Sequence, residues 1–209
     1  MRPPERSPER DAAIEALLPN VPFDGWTARA LRQALAATGQ DPEDAPLLFP
    51  GGPVDMIEAY CDLADRRMEE AAAALDMTLM RVPARVRAVI ALRLRQNRPY
   101  KEAVRRALAV LALPGNARVA AACTARTVDA IWHTVGDRST DFSWYTKRAT
   151  LAGVYSVTVL FWVRDRSDED FDTLAFLDRR LADVGRIGQV RRRIEGLAAR
   201  FRPRALRGA

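Results

Sequence analysis

Residues 21–39 read VPFDGWTARALRQALAATG, and the expected fold follows from this stretch. Thr27 stands where a helix N-cap accepts hydrogen bonds from the first free backbone amides. Trp26 before the cap and Leu31 after it are spaced as a hydrophobic staple, while Gly39 is typical of a helix end. The stretch therefore predicts a tight turn followed by a helix over residues 28–38.

Apolar residues recur with a helical period in almost every other segment, and no segment has a convincing strand alternation. A long helix is predicted from Pro53, since proline suits the first helical position. Its apolar face comprises Val54, Ile57, Tyr60, Cys61, Ala64, Met68, Ala71 and Leu75. The longest apolar run, residues 149–163, is shorter than the roughly 20 residues of a bilayer span, so we expect a fully buried core helix. The whole pattern predicts an all-α bundle of about nine helices joined by short loops.

The composition fits a globular protein and excludes several classes of site. Of the 209 residues, 48% are hydrophobic and 29% are charged. Two cysteines and one histidine cannot form a disulfide framework, nor a structural zinc site without help from carboxylates, so no metal is expected. Residues 179–209 hold ten arginines against two acids, which predicts a cationic tail on a nearly neutral body.

The stretch at 21–39 looks like the start of the helix-turn-helix unit of TetR-type regulators, in which a short basic third helix enters the major groove of DNA. Here the matching segment, DPEDAPLLFPGG at 41–52, has three acids and no cation, and no lysine or arginine occurs from Gln33 to Asp65. DNA affinity depends largely on phosphate neutralisation by lysine and arginine, so we expect a TetR-like fold that binds no nucleic acid. A TetR-type, ligand-responsive transcriptional regulator is the alternative function.

Residues 132–148, WHTVGDRSTDFSWYTKR, are predicted to form a polar corner between two helices. If the first helix continues to Gly136, His133 and Asp137 stand one turn apart, and Asp141 is placed to cap the next helix. A catalytic His–carboxylate pair also needs a partner, and the sequence has no nucleophile elbow, phosphate loop or metal cluster. We therefore expect a structural corner or a partner-binding surface, with an enzyme that uses His133 as the alternative.

The tail carries a narrow apolar stripe whose members step by 3, 4, 3 and 4 residues: Ile187, Val190, Ile194, Leu197 and Phe201. A cationic amphipathic helix of this kind suits a membrane interface, where anionic lipid adds about 1 kcal/mol per arginine. The alternatives are a helix that packs its stripe on the body and a helix–helix seam. Gly185 and Gly188 precede the stripe and predict a hinge, which favours the membrane.

Three strings together resemble the ubiquinone-biosynthesis accessory protein family, the Coq-nine type. They are VPFDGWTARAL at 21–31, RLRQNRPYKEAVRRALAVLALPGNA at 93–117 and DAIWHTVGDRSTDFSWYTKRATLAGVYSVTVLFWVRDRSDEDFDTLAFLDRRL at 129–181. The resemblance runs from about Ala12 to Phe201. It implies a TetR-like homodimer that is not an enzyme and has no cofactor. It also implies that the protein binds a phospholipid or isoprenoid quinone intermediate and presents it to the demethoxyubiquinone hydroxylase.

Site residues also follow from the resemblance. The family's partner-binding patch falls on Leu94, Ile131, Asp141, Trp144 and Tyr145. The lipid-binding pocket is expected to involve Trp132, Tyr155, Val159 and Phe161.

Four segments are therefore expected along the chain. Residues 1–10 form a disordered N-terminus, 11–52 the helix-turn-helix-like unit, 53–184 the lipid-binding and dimerisation domain, and 185–209 the membrane-associating tail. The first ten residues lack the features of a secretory signal or a mitochondrial presequence. We therefore expect a bacterial cytoplasmic protein peripheral to the inner membrane.

Overall fold

The computed structural model describes residues 4–137 and 142–200, with side chains for 4–137 and 144–186. All regular structure in these ranges is helical, which confirms the predicted all-α class. Short 3₁₀ turns help to connect the α-helices. These helices are α1 Pro8–Leu17, α2 Val21–Asp24, α3 Ala28–Ala37, α4 Ala45–Leu48, α5 Gly52–Ala73, α6 Val82–Asn97, α7 Lys101–Leu111, α8 Ala117–Thr134, α9 Phe142–Trp162 and α10 Phe171–Arg200.

The N-terminal unit has the turn and helix that its sequence predicts. The Thr27 hydroxyl accepts a hydrogen bond from the Ala30 amide at 3.1 Å and so caps α3. Gly25 precedes this cap with a φ of 71°, a conformation that glycine adopts without a steric penalty. The buried Trp26 indole donates to the Ala103 carbonyl at 3.0 Å, which fixes the N-terminal unit to α7.

Residues 8–10 of the segment that was expected to be disordered belong to helix α1. The Ser7 hydroxyl accepts from the Arg10 amide at 3.2 Å, and Pro8 occupies the first turn, so α1 has both features of a stable helix start. The buried Arg10 guanidinium pairs with Asp55 at 2.6 Å. These contacts anchor the part of the segment that the structure describes.

Two hydrophobic cores share the long helix α5. Its first half contributes Ile57 and Tyr60 to a core with the N-terminal helices, and its second half contributes Met68 and Ala72 to a core with the C-terminal helices. Helix α8 packs along α5 and α9, and α10 packs on α9 and α6. The site described below lies where α5, α6, α7, α8 and α9 meet.

Helix α9 is buried on one face only, which corrects the expectation of a fully buried helix. Trp162 and Val159 lie in the core, whereas Val157 and Leu160 are 42% and 51% exposed. Within the described residues, no single helix is long and apolar enough to span a bilayer. Residues 82–111 and 114–134 form a pair of helical segments with a bend of 98° between them. Only when taken together are these two segments long and apolar enough, a property that buried core helices of globular proteins share.

A capping turn joins α9 to α10. The Asp165 carboxylate accepts hydrogen bonds from the Ser167 amide at 2.7 Å and the Thr173 amide at 2.8 Å. Although desolvation acts to raise the pKa of Asp165, hydrogen bonds from Thr173 and Ser167 lower it to about 2. The ionised carboxylate therefore fixes the start of α10.

The backbone of α10 continues as one helix to Arg200, which corrects the predicted hinge at Gly185 and Gly188. A helical glycine costs only about 1 kcal/mol relative to alanine, and the surrounding residues favour helix. The predicted domain boundary at residue 185 thus falls inside a helix. The side chains of the predicted membrane stripe, Ile187, Val190, Ile194 and Leu197, lie outside the described residues, as does all of Phe201.

Candidate functional site

A cavity of about 300 Å³, here called the Arg93 cavity, opens among α5, α6, α7, α8 and α9. Most of its surface is apolar. Its volume is at the lower end of the roughly 300–1,000 Å³ of small-molecule sites. The lining residues are Tyr60, Cys61, Arg93, Leu94, Asn97, Val104, Ala107, Leu108, Leu111, Ala112, Ala120, Cys123, Thr124, Thr127, Tyr155, Ser156, Val159, Leu160 and Trp162.

A buried ion pair lies behind one wall of this cavity, and Arg93 is its member on the lining. A guanidinium nitrogen of Arg93 on α6 lies 3.0 Å from a carboxylate oxygen of Asp65 on α5, and both side chains are less than 10% exposed. The Thr127 hydroxyl on α8 donates to the same carboxylate at 2.9 Å. Three helices therefore meet at one compensated charge pair, which is costly to disrupt in an apolar interior.

The electrostatics of this pair reflect its burial. Desolvation raises the pKa of Asp65 to about 6, and it outweighs the opposing effect of the Arg93 charge. Burial acts to lower the pKa of Arg93, but Asp65 together with the nearby Tyr155, Tyr60 and Cys61 outweighs it and raises the pKa, so the guanidinium stays charged. Nη2 of Arg93 also reaches the Cys61 carbonyl at 3.4 Å, whereas Nη1 has no hydrogen-bond partner among the described residues.

Two tyrosines extend the polar wall. The Tyr60 hydroxyl donates to Oδ1 of Asn97, and the Asn97 amide donates to the Arg93 carbonyl at 2.7 Å. Burial raises the pKa of both Tyr60 and Tyr155, although the nearby Arg93 charge acts to lower it. Both phenols are therefore neutral at physiological pH, and the wall can hydrogen-bond a ligand without adding charge.

Two thiols line the same cavity from α5 and α8. A hydrogen bond with Cys123, together with burial, holds the pKa of Cys61 well above its ordinary value. Cys61 is therefore a neutral thiol, and both cysteines are free. Within the described ranges, no group of three histidine, cysteine or acidic side chains could hold a metal ion.

The predicted lipid-binding residues divide between two cavities and the surface. Tyr155 and Val159 line the Arg93 cavity. Trp132 instead lines a second, mainly apolar cavity of about 390 Å³ between α6, α8, α9 and α10, here called the Trp132 cavity. Phe161 lines neither, because its ring points away and stacks on Phe176 at 4.6 Å.

The predicted partner patch is also divided. Leu94 and Ile131 are 3% and 0% exposed, so neither can contact a partner at the surface of this conformation. Both lie on core-facing sides of their helices, and Leu94 lines the Arg93 cavity. Asp141 lies outside the described residues.

Trp144 and Tyr145, by contrast, lie together at the start of α9. Their ring centroids are 4.8 Å apart in an edge-on arrangement, and Tyr145 is 68% exposed. The Arg148 guanidinium stacks on the Trp144 ring at 3.9 Å. A half-buried tryptophan and an exposed tyrosine beside an arginine have the composition of a protein-interaction hot spot.

His133 and Asp137 do not form the predicted helical pair. Helix α8 ends at Thr134, so Asp137 lies beyond the helix rather than one turn along it. The Asp137 carboxylate pairs with Lys147 at 2.9 Å and lies 3.8 Å from Arg148, which joins the end of α8 to α9. The exposed His133 lines a separate polar cleft at this corner.

Sequence reasoning missed the Arg93–Asp65 pair, although a signal was present. Arg93 follows Val89 and Ile90 at helical spacing, and Asp65 follows Cys61 in the same way. Each charge thus falls on an apolar helix face, which is a mark of a buried ion pair.

Comparisons with known proteins identify the family of this fold and site. A protein-family model described as COQ9 matches residues 117–188. The mitochondrial ubiquinone biosynthesis protein coq9 of Schizosaccharomyces pombe is 32% identical over 178 residues, which cover 85% of this chain and 70% of that protein. The chain belongs to the COQ9 family.

Two further COQ9 relatives are similar to this chain in sequence. The mitochondrial ubiquinone biosynthesis proteins COQ9 of Rattus norvegicus and Homo sapiens are 33% and 32% identical to this chain over 189 residues. The alignments cover 87% of this chain and about 60% of those relatives, so this chain spans less than two thirds of their length.

The comparison of this COQ9-family chain with a solved structure bears only on its fold. The crystal structure of the TetR transcriptional regulator from Nitrosomonas europaea ATCC 19718 matches with a TM-score of 0.68 at 23% identity. The match covers 84% of this chain and 97% of the regulator. The predicted TetR-like fold is therefore confirmed.

The comparisons contradict the predicted location in a bacterial cytoplasm. The COQ9 proteins of rat, human and Schizosaccharomyces pombe are all mitochondrial proteins of eukaryotes. The prediction rested on the lack of presequence features in residues 1–10, and the location of the relatives overturns it.

Proposed function

We propose that this COQ9-family protein acts in ubiquinone biosynthesis as a non-catalytic lipid-binding protein, and that its ligand is an isoprenoid quinone intermediate held in the Arg93 cavity. One observation carries the proposal: an apolar cavity of about 300 Å³ ends at a buried polar wall containing Arg93 and Tyr155. A quinone has the matching parts, a polar ring and a hydrocarbon chain. The apolar helices would receive the chain, and the polar wall would receive the ring.

The energetics favour such a site for a water-insoluble ligand. Burying each CH₂ group contributes about 0.8 kcal/mol, so a short buried length of chain offsets part of the cost of leaving a bilayer. The Arg93 cavity is too small for a long isoprenoid chain, whose remainder would stay outside it. Partial extraction of this kind leaves the ligand available to an enzyme.

Tryptophan fluorescence tests the site, because quinones quench nearby indoles and each cavity is lined by one tryptophan. Decylubiquinone titrated into the wild type should quench a fraction of the emission. That fraction should disappear in Trp162→Phe and persist in Trp132→Phe, since Trp162 lines the Arg93 cavity and Trp132 the other. The opposite result would move the ligand to the Trp132 cavity, and no quenching, with no co-purifying quinone in native mass spectra, would refute quinone binding.

The aromatic pair at the start of α9 supports a second part of the proposal, in which Trp144 and Tyr145 dock the demethoxyubiquinone hydroxylase. A pull-down with the hydroxylase tests it. Tyr145→Lys should abolish capture, whereas Phe171→Lys should not, because Phe171 is about as exposed as Tyr145, at 70% against 68%, but lies at the start of α10. Equal capture by both variants would contradict the assignment of this docking surface.

The same proposal includes a membrane-binding tail. The helical backbone of α10 through Arg200 agrees with the periodicity from which the apolar stripe was inferred. Binding to vesicles of phosphatidylcholine and cardiolipin should weaken in Leu197→Ser with Phe201→Ser and persist in Ala199→Ser, which lies off the stripe. Unchanged binding of the double variant would remove the tail from the mechanism.

The exposed face of α9 supports homodimerisation. Gly153, Val157 and Leu160 follow one another at helical spacing and are all exposed in the single chain. A small residue and two aliphatic ones let a second helix approach closely, and burying them would remove apolar surface from water.

A further inference from the structure

The connection between α5 and α6, residues 76–82 and here called the α5–α6 turn, exposes three large apolar side chains. Leu79 is 98% exposed, Val82 48% and Met80 40%, and Leu79 is the most exposed large apolar residue that the structure describes. Single apolar residues at a surface are ordinary, whereas a contiguous exposed group indicates a binding surface. These three lie within four consecutive residues and form such a group.

Much of the backbone of this turn is hydrogen-bonded inside the protein. The Arg85 guanidinium donates to the carbonyls of Met80 at 2.9 Å and Thr78 at 3.4 Å. The Met80 amide donates to the Met77 carbonyl at 3.0 Å, and the Thr78 amide donates to the Asp76 carboxylate at 3.0 Å. Backbone groups that are already bonded lose less when a segment leaves water. The α5–α6 turn can therefore enter an apolar medium at a reduced cost.

The charge around the turn is positive. Residues 76–86 hold two arginines, Arg81 and Arg85, against one acid, Asp76. Neither arginine has an ion-pair partner among the described residues, and Asp76 accepts its hydrogen bonds from Thr78. An apolar tip beside uncompensated arginines is the combination that favours an anionic membrane surface.

The turn lies at the end of the protein where the proposed membrane-associating tail begins. Nε of Arg87 on α6 lies 2.7 Å from Oδ1 of Asp178 on α10. Pro83, earlier on α6, lines the Trp132 cavity together with Gly185, later on α10. The two helices therefore run antiparallel, and the start of α6 lies beside the residue from which α10 continues into the tail.

We propose that the α5–α6 turn is a second membrane contact, which inserts Leu79 and Met80 into an anionic phospholipid surface beside the tail. It rests on the membrane-binding tail of the proposed function. A protein partner is a poorer fit, because a projecting turn offers a small convex area, whereas a stable protein interface buries about 800 Å² on each partner. A lipid surface needs no matching shape, and Arg81 can reach its phosphates from beside the apolar tip.

Flotation with vesicles of phosphatidylcholine and cardiolipin measures the contribution of the tip. Leu79→Ser should weaken binding at least about tenfold, the effect of burying one leucine. Leu47→Ser is the matched control, because Leu47 is 77% exposed on α4, at the other end of α5, a helix about 33 Å long. Equal binding by the two variants would overturn the role of the turn and leave the tail standing, whereas a wild type that does not bind would overturn both.

A polarity-sensitive fluorophore attached to Leu79→Cys reports insertion directly. Its emission should rise and shift to shorter wavelength on these vesicles, whereas the same label on Leu47→Cys should not respond. Wild-type protein treated with the reagent measures any labelling of Cys61 and Cys123, which are both free. A label that stays in a watery environment on vesicle-bound protein would overturn insertion. Loss of hydroxylase capture in Leu79→Ser, with vesicle binding unchanged, would overturn it in favour of a protein-docking surface.

Charge variants test the preference for anionic lipid. Arg81→Gln should weaken binding to the cardiolipin vesicles about fivefold, the effect of one arginine near an anionic surface, and should leave binding to pure phosphatidylcholine vesicles unchanged. Arg118→Gln is the control, because Arg118 is exposed at the start of α8, whereas Arg85 donates to the Val135 carbonyl at the other end of α8 at 3.3 Å. The same loss on both kinds of vesicle, or in both variants, would overturn the role of Arg81.

Discussion

The buried ion pair gives a quantitative prediction about stability. We consider Asp65→Leu, Arg93→Leu and the combination of both. In the wild type, the two groups lie 3.0 Å apart with side chains 9% and 7% exposed. Removing one partner leaves the other uncompensated, either as a charged guanidinium or as a carboxyl that must bind a proton, which costs about 3–5 kcal/mol for a buried pair. Replacing both with apolar residues of similar volume is often neutral, so the two effects should couple by at least about 3 kcal/mol.

The pH dependence of the same variants has a definite sign. The folded-state pKa of Asp65 is about 6, above the ordinary value near 4, so the folded state binds the proton more tightly. Its contribution to the free energy of unfolding is therefore full below pH 4 and decreases as the pH rises through about 6. Arg93→Leu removes the opposing charge and raises this pKa further, so the decrease should extend above pH 6 at up to about 1.4 kcal/mol per unit.

Urea denaturation followed by circular dichroism between pH 4 and 8 measures both effects. The double variant should lack the pH slope assigned to Asp65 and should approach wild-type stability at pH 7. Single variants that each cost less than about 1 kcal/mol, with no coupling, would refute the claim that this pair is buried and mutually compensated.

Three further outcomes are expected. Calorimetry can measure the affinity of 2,3-dimethoxy-5-methylbenzoquinones that carry alkyl chains of increasing length. The affinity should rise about fourfold per CH₂ while the chain fits the Arg93 cavity and should then level off. An affinity that does not change with chain length would place the chain elsewhere. Asp165→Ala should destabilise the protein by about 1–2 kcal/mol at pH 7 in thermal melts. The difference from wild type should shrink as the pH falls from about 4 through about 2, because a carboxylate with a lowered pKa stabilises the fold only while it is ionised. Asp168→Ala is the control, because the Asp168 side chain is 99% exposed. Leu160→Asp should convert a dimer to a monomer in sedimentation experiments. Leu113→Asp should not, because Leu113 is exposed on a turn away from α9. Equal masses for the two variants would refute dimerisation through α9.

Local sequence signals predicted the helical elements because their causes are local. Thr27 caps α3 with its own side chain, and Gly25 permits the turn before it, so neither depends on distant residues. The same signals erred where distant contacts decide. Disorder was expected before residue 11, yet Arg10 is buried against Asp55 on another helix.

The candidate site was predicted in part. Tyr155 and Val159 line the Arg93 cavity as expected, because they lie on the inward face of α9. Phe161 is adjacent in sequence to the cavity residues Leu160 and Trp162 but lies on another side of the helix. The family resemblance predicted that α9 lines the ligand site, and the packing of the helices decided which face of α9 meets the cavity.

The sequence by itself determined that this chain is helical, that its N-terminal unit resembles a helix-turn-helix without the cations of a DNA-binding surface, and that it resembles the COQ9 family. These properties depend on residue periodicity, caps and composition, which are written along the chain. Only the tertiary structure brought Arg93 and Asp65 to 3.0 Å beside an apolar cavity. A cavity is the space that packed helices fail to fill, so it follows from how their faces meet in three dimensions and from no single segment.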